Sequence, residues 1–165
     1  MLAIGVDPGT ETIGFGIVEE DGQGLLHAVE YGVIKTNKEA TSEKRLQIIY
    51  NEINRIIVLH QPHAGAVEKL FFQKNVTSAI AVGQARGVIL LALANAGIEL
   101  AEYSPQEVKQ AVTGYGAAEK KQVQFMVKTI LKLDELPKPD DAADALAIAI
   151  CHIHANGYRN RIAGN

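Results

Sequence analysis

Residues 1–36 read MLAIGVDPGTETIGFGIVEEDGQGLLHAVEYGVIKT, and this stretch decides the fold. Leu2 to Val6 is a short apolar run of strand length. Ile13 to Glu19 and Leu25 to Thr36 are two further runs rich in β-branched and aromatic residues. Asp21-Gly22-Gln23-Gly24 separates the last two as a turn, so the sheet starts with three antiparallel strands. Period-2 alternation along the first run puts Asp7 on the face of Ala3 and Gly5, while Leu2, Ile4 and Val6 face the other way. Pro8-Gly9-Thr10 then turns the chain, leaving Asp7 at the carboxyl end of a strand, where open α/β sheets place ligands.

Working outward, Leu46, Ile49, Ile53, Ile56 and Ile57 recur at helical spacing from Ser42 to about His60, and Gln61-Pro62 closes that helix. Ala64 to Glu68 gives a fourth strand, whose last residue shares a face with Ala64 and Ala66. A helix runs from Asn75 to Ala96, and Ile98 to Tyr103 gives a fifth strand. Ser104-Pro105-Gln106-Glu107 supplies an N-cap, a proline at the first helical position and a capping-box glutamate for a short helix to about Val112. Residues 118–132 and 140–155 make two more helices. The order β-β-β-α-β-α-β-α-α-α is an α/β architecture: a mixed five-stranded sheet, its first three strands antiparallel, flanked by helices. At 165 residues and 47% hydrophobic content the chain is expected to be one domain spanning 1–165.

The net charge is −3, which does not by itself advertise a polyanionic partner. Its distribution is uneven. Residues 1–68 hold 5 Lys+Arg against 10 Asp+Glu, residues 69–132 hold 8 against 4, and residues 133–165 hold 3 against 5. The basic middle third can face phosphates if the acidic parts are neutralised by cations. Cys151 is the single cysteine, so no disulfide forms within the chain; its apolar surroundings predict a small buried hydrophobe. The start MLAIGVDPGT lacks a basic region ahead of a cleavable apolar stretch. The apolar runs near 88–94 and 145–151 are too short to span a bilayer. A soluble cytoplasmic protein with no membrane partner is expected.

Asp141 and Asp144 open the last long helix in the run PDDAADALAIAI. Three residues apart, they lie on one helical face in the first turn. Acidic helix N-termini are common because the macrodipole favours them, and Asp140 reads as an N-cap. However, Ala142, Ala143, Ala145, Ala147 and Ala149 make this helix thin enough to lie close against a sheet, so its acids can reach Asp7 and Glu68 on the strand ends. Four carboxylates in one cleft keep their charge only with cations between them. An oxygen-only ligand set suits Mg²⁺ or Mn²⁺ rather than zinc, and two such ions roughly 3.5 to 4 Å apart serve phosphodiester hydrolysis.

The segments IGVDPGTETIGFG, AVEKLFFQKN, SAIAVGQARGVILLAL, SPQEVKQAVTGYGAAEKKQVQFMV and DAADALAIAICHIH, in this order, resemble the RuvC-type Holliday junction resolvases over nearly the whole chain. The DPG motif is shared with actin-like ATPases and sugar kinases. QARG, VKQ, GxGxAEK and DAADALA in sequence are specific. The resemblance implies a ribonuclease H-like fold, a homodimer, and Mg²⁺-dependent symmetric nicking of two like-polarity strands at a four-way DNA junction, with Mn²⁺ able to substitute. It carries the catalytic acids onto Asp7, Glu68, Asp141 and Asp144, and it implies a branch-migration helicase as partner.

For the substrate, the resemblance makes Phe71 the residue that stacks on an unpaired base, with Phe72 packed inside, and makes Lys109 and Lys120 contacts to DNA near the metal site. Lys74, Arg86 and Lys121 add charge. Ala79, Gly83 and Gly87 leave a smooth helical stripe that suits either a dimer seam or the protein's own sheet. Where the family has a basic residue and then Thr-Gly after DPG, this chain has Glu11 and Thr12-Ile13-Gly14, a loss of positive charge beside the site. His152 lies on the face of Asp144 and is expected to be a satisfied surface imidazole. Two other classes stand beside the nuclease: a structure-specific DNA-binding module without cleavage, and an ATPase of the actin-like superfamily. The ATPase needs a second domain and a second phosphate loop.

Overall fold

The computed structural model describes residues 1–70 and 76–163. Five strands, β1 (Leu2–Asp7), β2 (Thr12–Glu20), β3 (Leu26–Lys35), β4 (Ala64–Glu68) and β5 (Glu99–Tyr103), form one sheet in the order β3-β2-β1-β4-β5. β1, β2 and β3 pair antiparallel; β1 with β4 and β4 with β5 pair parallel. The helices are α1 (Ser42–His60), α2 (Val76–Asn95), α3 (Pro105–Thr113), α4 (Lys120–Ile130) and α5 (Asp140–Ala163). This is the mixed five-stranded sheet that the strand pattern implies, in keeping with the ribonuclease H-like fold that the resemblance implies.

Local chemistry sets most of the boundaries. At the β2–β3 turn, Asp21 Oδ1 accepts the N–H groups of Gln23 and Leu25 at 2.8 and 2.9 Å, and Gly24 takes the left-handed conformation. The capping box of α3 forms as its sequence predicts: Ser104 Oγ accepts from the Glu107 N–H, and the Glu107 carboxylate accepts from the Ser104 N–H. α5 runs eight residues beyond the predicted end at 155. Asn156, Gly157 and Asn160 are weak helix formers in that extension, and they lower helix stability without breaking it.

Each face of the sheet is covered. On one, Ile4, Val6, Ile13, Phe15 and Ile17 meet Ile49, Ile53 and Ile56 of α1 and Ala85, Ile89, Ala92 and Leu93 of α2. On the other, Ala3 and Ala66 meet α5, with Val108 and Val112 of α3 and Val123 and Val127 of α4 around it. β2 alternates regularly, Ile13, Phe15 and Ile17 toward α1 and α2 and Gly14, Gly16 and Val18 toward α5, while its partner β3 carries a bulge: Glu30 pairs with Ile17 and Ala28 with Val18, leaving Val29 as the extra residue.

α2 corrects an expectation. Its window Ser78–Asn95 is long and apolar enough to cross a membrane, with a mean hydropathy of 1.4. Counting only unbroken apolar runs overlooks it, because glycine, alanine and glutamine separate its large side chains. Part of that window is buried on the sheet. The rest is half-buried or exposed: among the described residues nothing stands within 4 Å of a Cβ placed on Gly87, and one on Gly83 meets Leu70 at 3.6 Å.

Candidate active site

Register brings the first two acids together. β1 and β4 run parallel with Val6 opposite Val67, so Asp7 and Glu68, the next residues, end neighbouring strands at one edge of the sheet. On its other side Asp7 pairs with Gly14 of β2. A Cβ on Gly14 would lie 1.9 Å from the Asp141 carbonyl oxygen, so the first turn of α5 rests on bare backbone directly beside Asp7. Further along the same seam, a Cβ on Gly5 would lie 2.2 Å from the Ala145 carbonyl. These contacts bring the Asp141 and Asp144 end of α5 to the strand ends that carry Asp7 and Glu68. The thin alanine face predicted from sequence is what lets the helix approach.

The charges register one another. Burial, together with the negative charges of Glu68, Asp144 and Asp141, pushes the Asp7 carboxyl from 3.8 up to about 8. Burial and Asp144 raise Glu68, against a lowering pull from Lys109. Burial also raises Asp144, with Asp141 and Asp140 adding to the rise and Lys120 opposing it. Lys120 is the near partner of two acids, its Nζ 3.1 Å from Asp144 Oδ2 and 3.4 Å from Asp140 Oδ2. Burial pulls its ammonium down, but the hydrogen bond to Asp144 and the charges of Asp144 and Asp140 outweigh that and hold it above 10.5. Among the described residues no three His, Cys, Asp or Glu side chains form a ready-made ligand cluster. The acids converge on one edge as like charges, and an ammonium stands among them.

Glu68, Asp144, Lys109 and Lys120 line one cleft of about 260 Å³, floored by Val108, Val123 and Ala147. A larger open depression of about 920 Å³ lies beside Tyr103, Glu107, Gln110, Cys151 and His154. Glu107 is the one carboxylate among its lining residues. Burial pushes the Cys151 thiol in that wall up to about 12, and the side chain behaves as the inert small hydrophobe expected.

Several side chains behave differently from their sequence reading. Asp140 is the first helical residue of α5 rather than its N-cap; its carboxylate accepts from Gln124 Nε2 at 3.0 Å and pairs with Lys120. His152 is 2% exposed, with Tyr103 Oη 3.1 Å from Nδ1 and Asn156 Nδ2 3.0 Å from Nε2. It is a buried imidazole and not a surface one, because α5 is apolar on every side there. Glu11 is paired with Lys38 at 2.9 Å, which offsets the negative charge beside the turn after Asp7. Sequence reasoning missed Arg45, whose guanidinium donates to the Thr10 carbonyl at 2.8 Å and to Thr36 Oγ1 at 3.3 Å, bracing that turn from α1. No motif marks Arg45, only its position one helical turn into α1. Arg86 is engaged by Glu102 and by the Glu68 carbonyl. Phe71, with Phe72 and Lys74, lies outside the described residues.

The model of the family described as crossover junction endodeoxyribonuclease RuvC matches residues 3–152. The curated RuvC of Desulfitobacterium hafniense is 52% identical over 164 residues, covering 99% of both chains. That of Chloroflexus aggregans is 56% identical over 154 residues, covering 93% of each. Among solved structures, Thermus thermophilus RuvC superposes with a TM-score of 0.89 at 36% identity over 96% of both chains. The same protein in complex with a Holliday junction substrate gives 0.88 at 34% identity and the same coverage. Motif order, sheet topology and near-complete coverage agree: the chain belongs to the RuvC family of crossover junction endodeoxyribonucleases.

Proposed function

We propose that Asp7, Glu68, Asp141 and Asp144 are the catalytic acids of this nuclease and together hold Mg²⁺, with Mn²⁺ able to substitute. Family membership makes the reaction endonucleolytic resolution of four-way (Holliday) DNA junctions, a step of recombination and repair. The observation that carries the assignment is topological: parallel register and the Gly14 contact bring two strand-end acids and an acidic helix start to one edge. The donors are hard carboxylate oxygens, which fits magnesium or manganese. The Lys120 ammonium already stands against Asp144 and Asp140, so this edge attracts cations. When bound, such an ion supplies Lewis-acid stabilisation of the charge that develops at the phosphate and acidifies the attacking water.

The chain's own residues bind and orient. Lys109 and Lys120 line the cleft and contact phosphates, which sets the register of the DNA without reading sequence. Phe71, just beyond Glu68 in the chain, stacks on an unpaired base at the junction centre. The whole chain acts as one nuclease domain. Two copies related by a twofold axis pair through the stripe of α2, Ala79, Gly83 and Gly87; that no described residue stands within 4 Å of a Cβ on Gly87 supports close approach there. The dimer then presents identical sites to two strands of like polarity and nicks them symmetrically. A branch-migration helicase is the partner that moves the crossover, and the compartment is the cytoplasm.

The test is nicking of a synthetic four-way junction. Wild type with Mg²⁺ is expected to nick paired strands. EDTA, Asp7→Asn and Asp144→Asn should each abolish nicking while gel-shift binding of the junction persists. Nicking by Asp7→Asn at the wild-type rate would remove that acid from the site. Binding without nicking by wild type would leave a structure-specific binder.

A further inference from the structure

Glu68 stands at the point where the sheet ladder runs out. β4 ends with it, and the neighbouring β1 continues past Asp7 into Pro8, which has no N–H to donate. On the other side the Lys69 N–H donates to the Tyr103 carbonyl at 2.8 Å, the last backbone tie of β4 to β5. The Glu68 carbonyl instead accepts from Arg86 Nε at 3.2 Å. The same guanidinium donates through Nη2 to the Glu102 carboxylate on β5. Arg86 therefore joins α2, the end of β4 and β5 at one atom group, and its side chain is only 17% exposed.

We infer that Arg86 is a positioning residue: it fixes the backbone of Glu68 so that the Glu68 carboxylate is held toward Asp7 and Asp144. This rests on the proposed metal-binding role of Glu68. Three features separate it from a phosphate contact. Two of the guanidinium's donor directions are already used inside the protein, one of them on a carboxylate that neutralises its charge. Little of the side chain reaches solvent. Its protein partners include the backbone of a proposed ligand rather than a neighbouring basic side chain. A planar fork suits this task, since one rigid group must satisfy a carbonyl and a carboxylate at once, whereas a lysine reaches one of them at a time. Arg86 is also flanked by Gly83 and Gly87 on α2, so any shift of that helix reaches Glu68 through this side chain.

The experiment compares wild type, Arg86→Gln, Arg86→Lys and Glu102→Gln as full-length chains. Three quantities are measured: Mn²⁺ binding without DNA by calorimetry, single-turnover nicking of a four-way junction, and junction affinity in EDTA by gel shift. Arg86→Gln is expected to weaken Mn²⁺ binding and slow nicking by about 10- to 100-fold, the usual cost of losing a group that orients a metal ligand. Junction affinity should stay within about twofold, since no phosphate contact is lost. Arg86→Lys should recover part of both losses, and Glu102→Gln should show the same pattern more weakly. Should Arg86→Gln fail to fold by circular dichroism, Glu102→Gln decides the question, because it loosens the fork from an exposed position. A fall in junction affinity that matches the fall in rate overturns the inference in favour of a DNA contact. Unchanged Mn²⁺ binding and rate beside an active wild type overturns it as well. A wild type that neither binds Mn²⁺ nor nicks overturns the metal-site reading itself, and the positioning role with it.

Discussion

The two faces of the sheet are packed on different principles. Against α1 and α2 the contact is made by large branched side chains, Ile4, Ile13, Ile17, Ile49, Ile53, Ile56 and Ile89, all essentially inaccessible to solvent. Against α5 it is made by Gly5, Gly14 and Gly16 on the strands and by a run of alanines on the helix, so backbone meets backbone. Isoleucines supply buried area, at about 25 cal/mol per Å², and tolerate small repacking. A glycine-alanine seam buries less per residue but leaves almost no freedom in where the helix sits. The acids are found on the second kind of face. Stability is concentrated where bulk can be packed, and position is concentrated where nothing can move.

The change that most displaces the acids as a group should be Gly14→Ala. Its Cβ would collide with the Asp141 carbonyl oxygen, so the first turn of α5 must lift from β2. Overpacking of this kind costs about 1–3 kcal/mol, and a displacement near 1 Å at reacting groups costs about 100-fold in rate. Nicking at a temperature where circular dichroism shows the variant folded measures the second effect. Retention of wild-type nicking would show that the seam does not set the position of the acids.

Asp7 gives the next largest effect, and its sign is fixed by burial. Its folded value of about 8 lies above 3.8, so the folded chain holds the proton more tightly than the unfolded chain does. In EDTA, stability is therefore greatest at low pH on this account and declines as pH rises from about 4 toward 8. Asp7→Asn removes the penalty and should raise stability at pH 8 by about 1–3 kcal/mol, less than full linkage because water reaches the cleft. Cation binding must expel the same proton, so Mn²⁺ affinity should climb by up to about tenfold per pH unit below pH 8 and then level off. Calorimetry at pH 6.5, 7.5 and 8.5 checks the slope; a flat profile would mean that Asp7 is already ionised.

On the opposite face, Ile53→Ala should cost roughly 2–5 kcal/mol in urea unfolding yet leave nicking per folded molecule within about threefold. Ile53 is fully buried between α1 and the sheet, in the cluster that holds none of the four acids. A large loss of rate in a folded Ile53→Ala protein would erase the distinction between the two faces.

Much of this division was legible in the sequence, and the reason is periodicity. Helix 42–60 and strand 64–68 are defined by apolar spacing and by breakers, which are local signals, and the structure bounds them at the same residues. The alternation of Ala3, Gly5 and Asp7 against Ile4 and Val6 already separates the two faces. What was not legible is pairing between distant polar groups. Arg86 with Glu68 and Glu102, Arg45 with Thr10, and Lys120 with Asp140 and Asp144 span 16 to 35 positions and obey no spacing rule. The longer α5 and the burial of His152 had a usable signal, since a helix apolar on every side is an interior helix. The β3 bulge at Val29 had none, as one extra residue leaves the apolar pattern nearly intact.

The smallest effect is expected where the two faces meet outside the packing, at the turn after Asp7. Glu11 stands in that turn, and Lys38 answers it at 2.9 Å across an exposed ion pair. Exposed pairs contribute about 0–1 kcal/mol to stability, so Lys38→Ala should leave unfolding nearly unchanged. It does uncover a negative charge close to the cleft. Junction affinity should therefore fall by no more than about threefold at 50 mM salt, and the difference should vanish near 200 mM as screening shortens the reach of the charge. Glu11→Arg should shift affinity the other way and steepen the salt dependence by about one counterion. Gel shifts across that salt range separate the two variants. Equal behaviour of Lys38→Ala and wild type at low salt would mean that the turn lies beyond the reach of the DNA, and that Glu11 is neutral for binding.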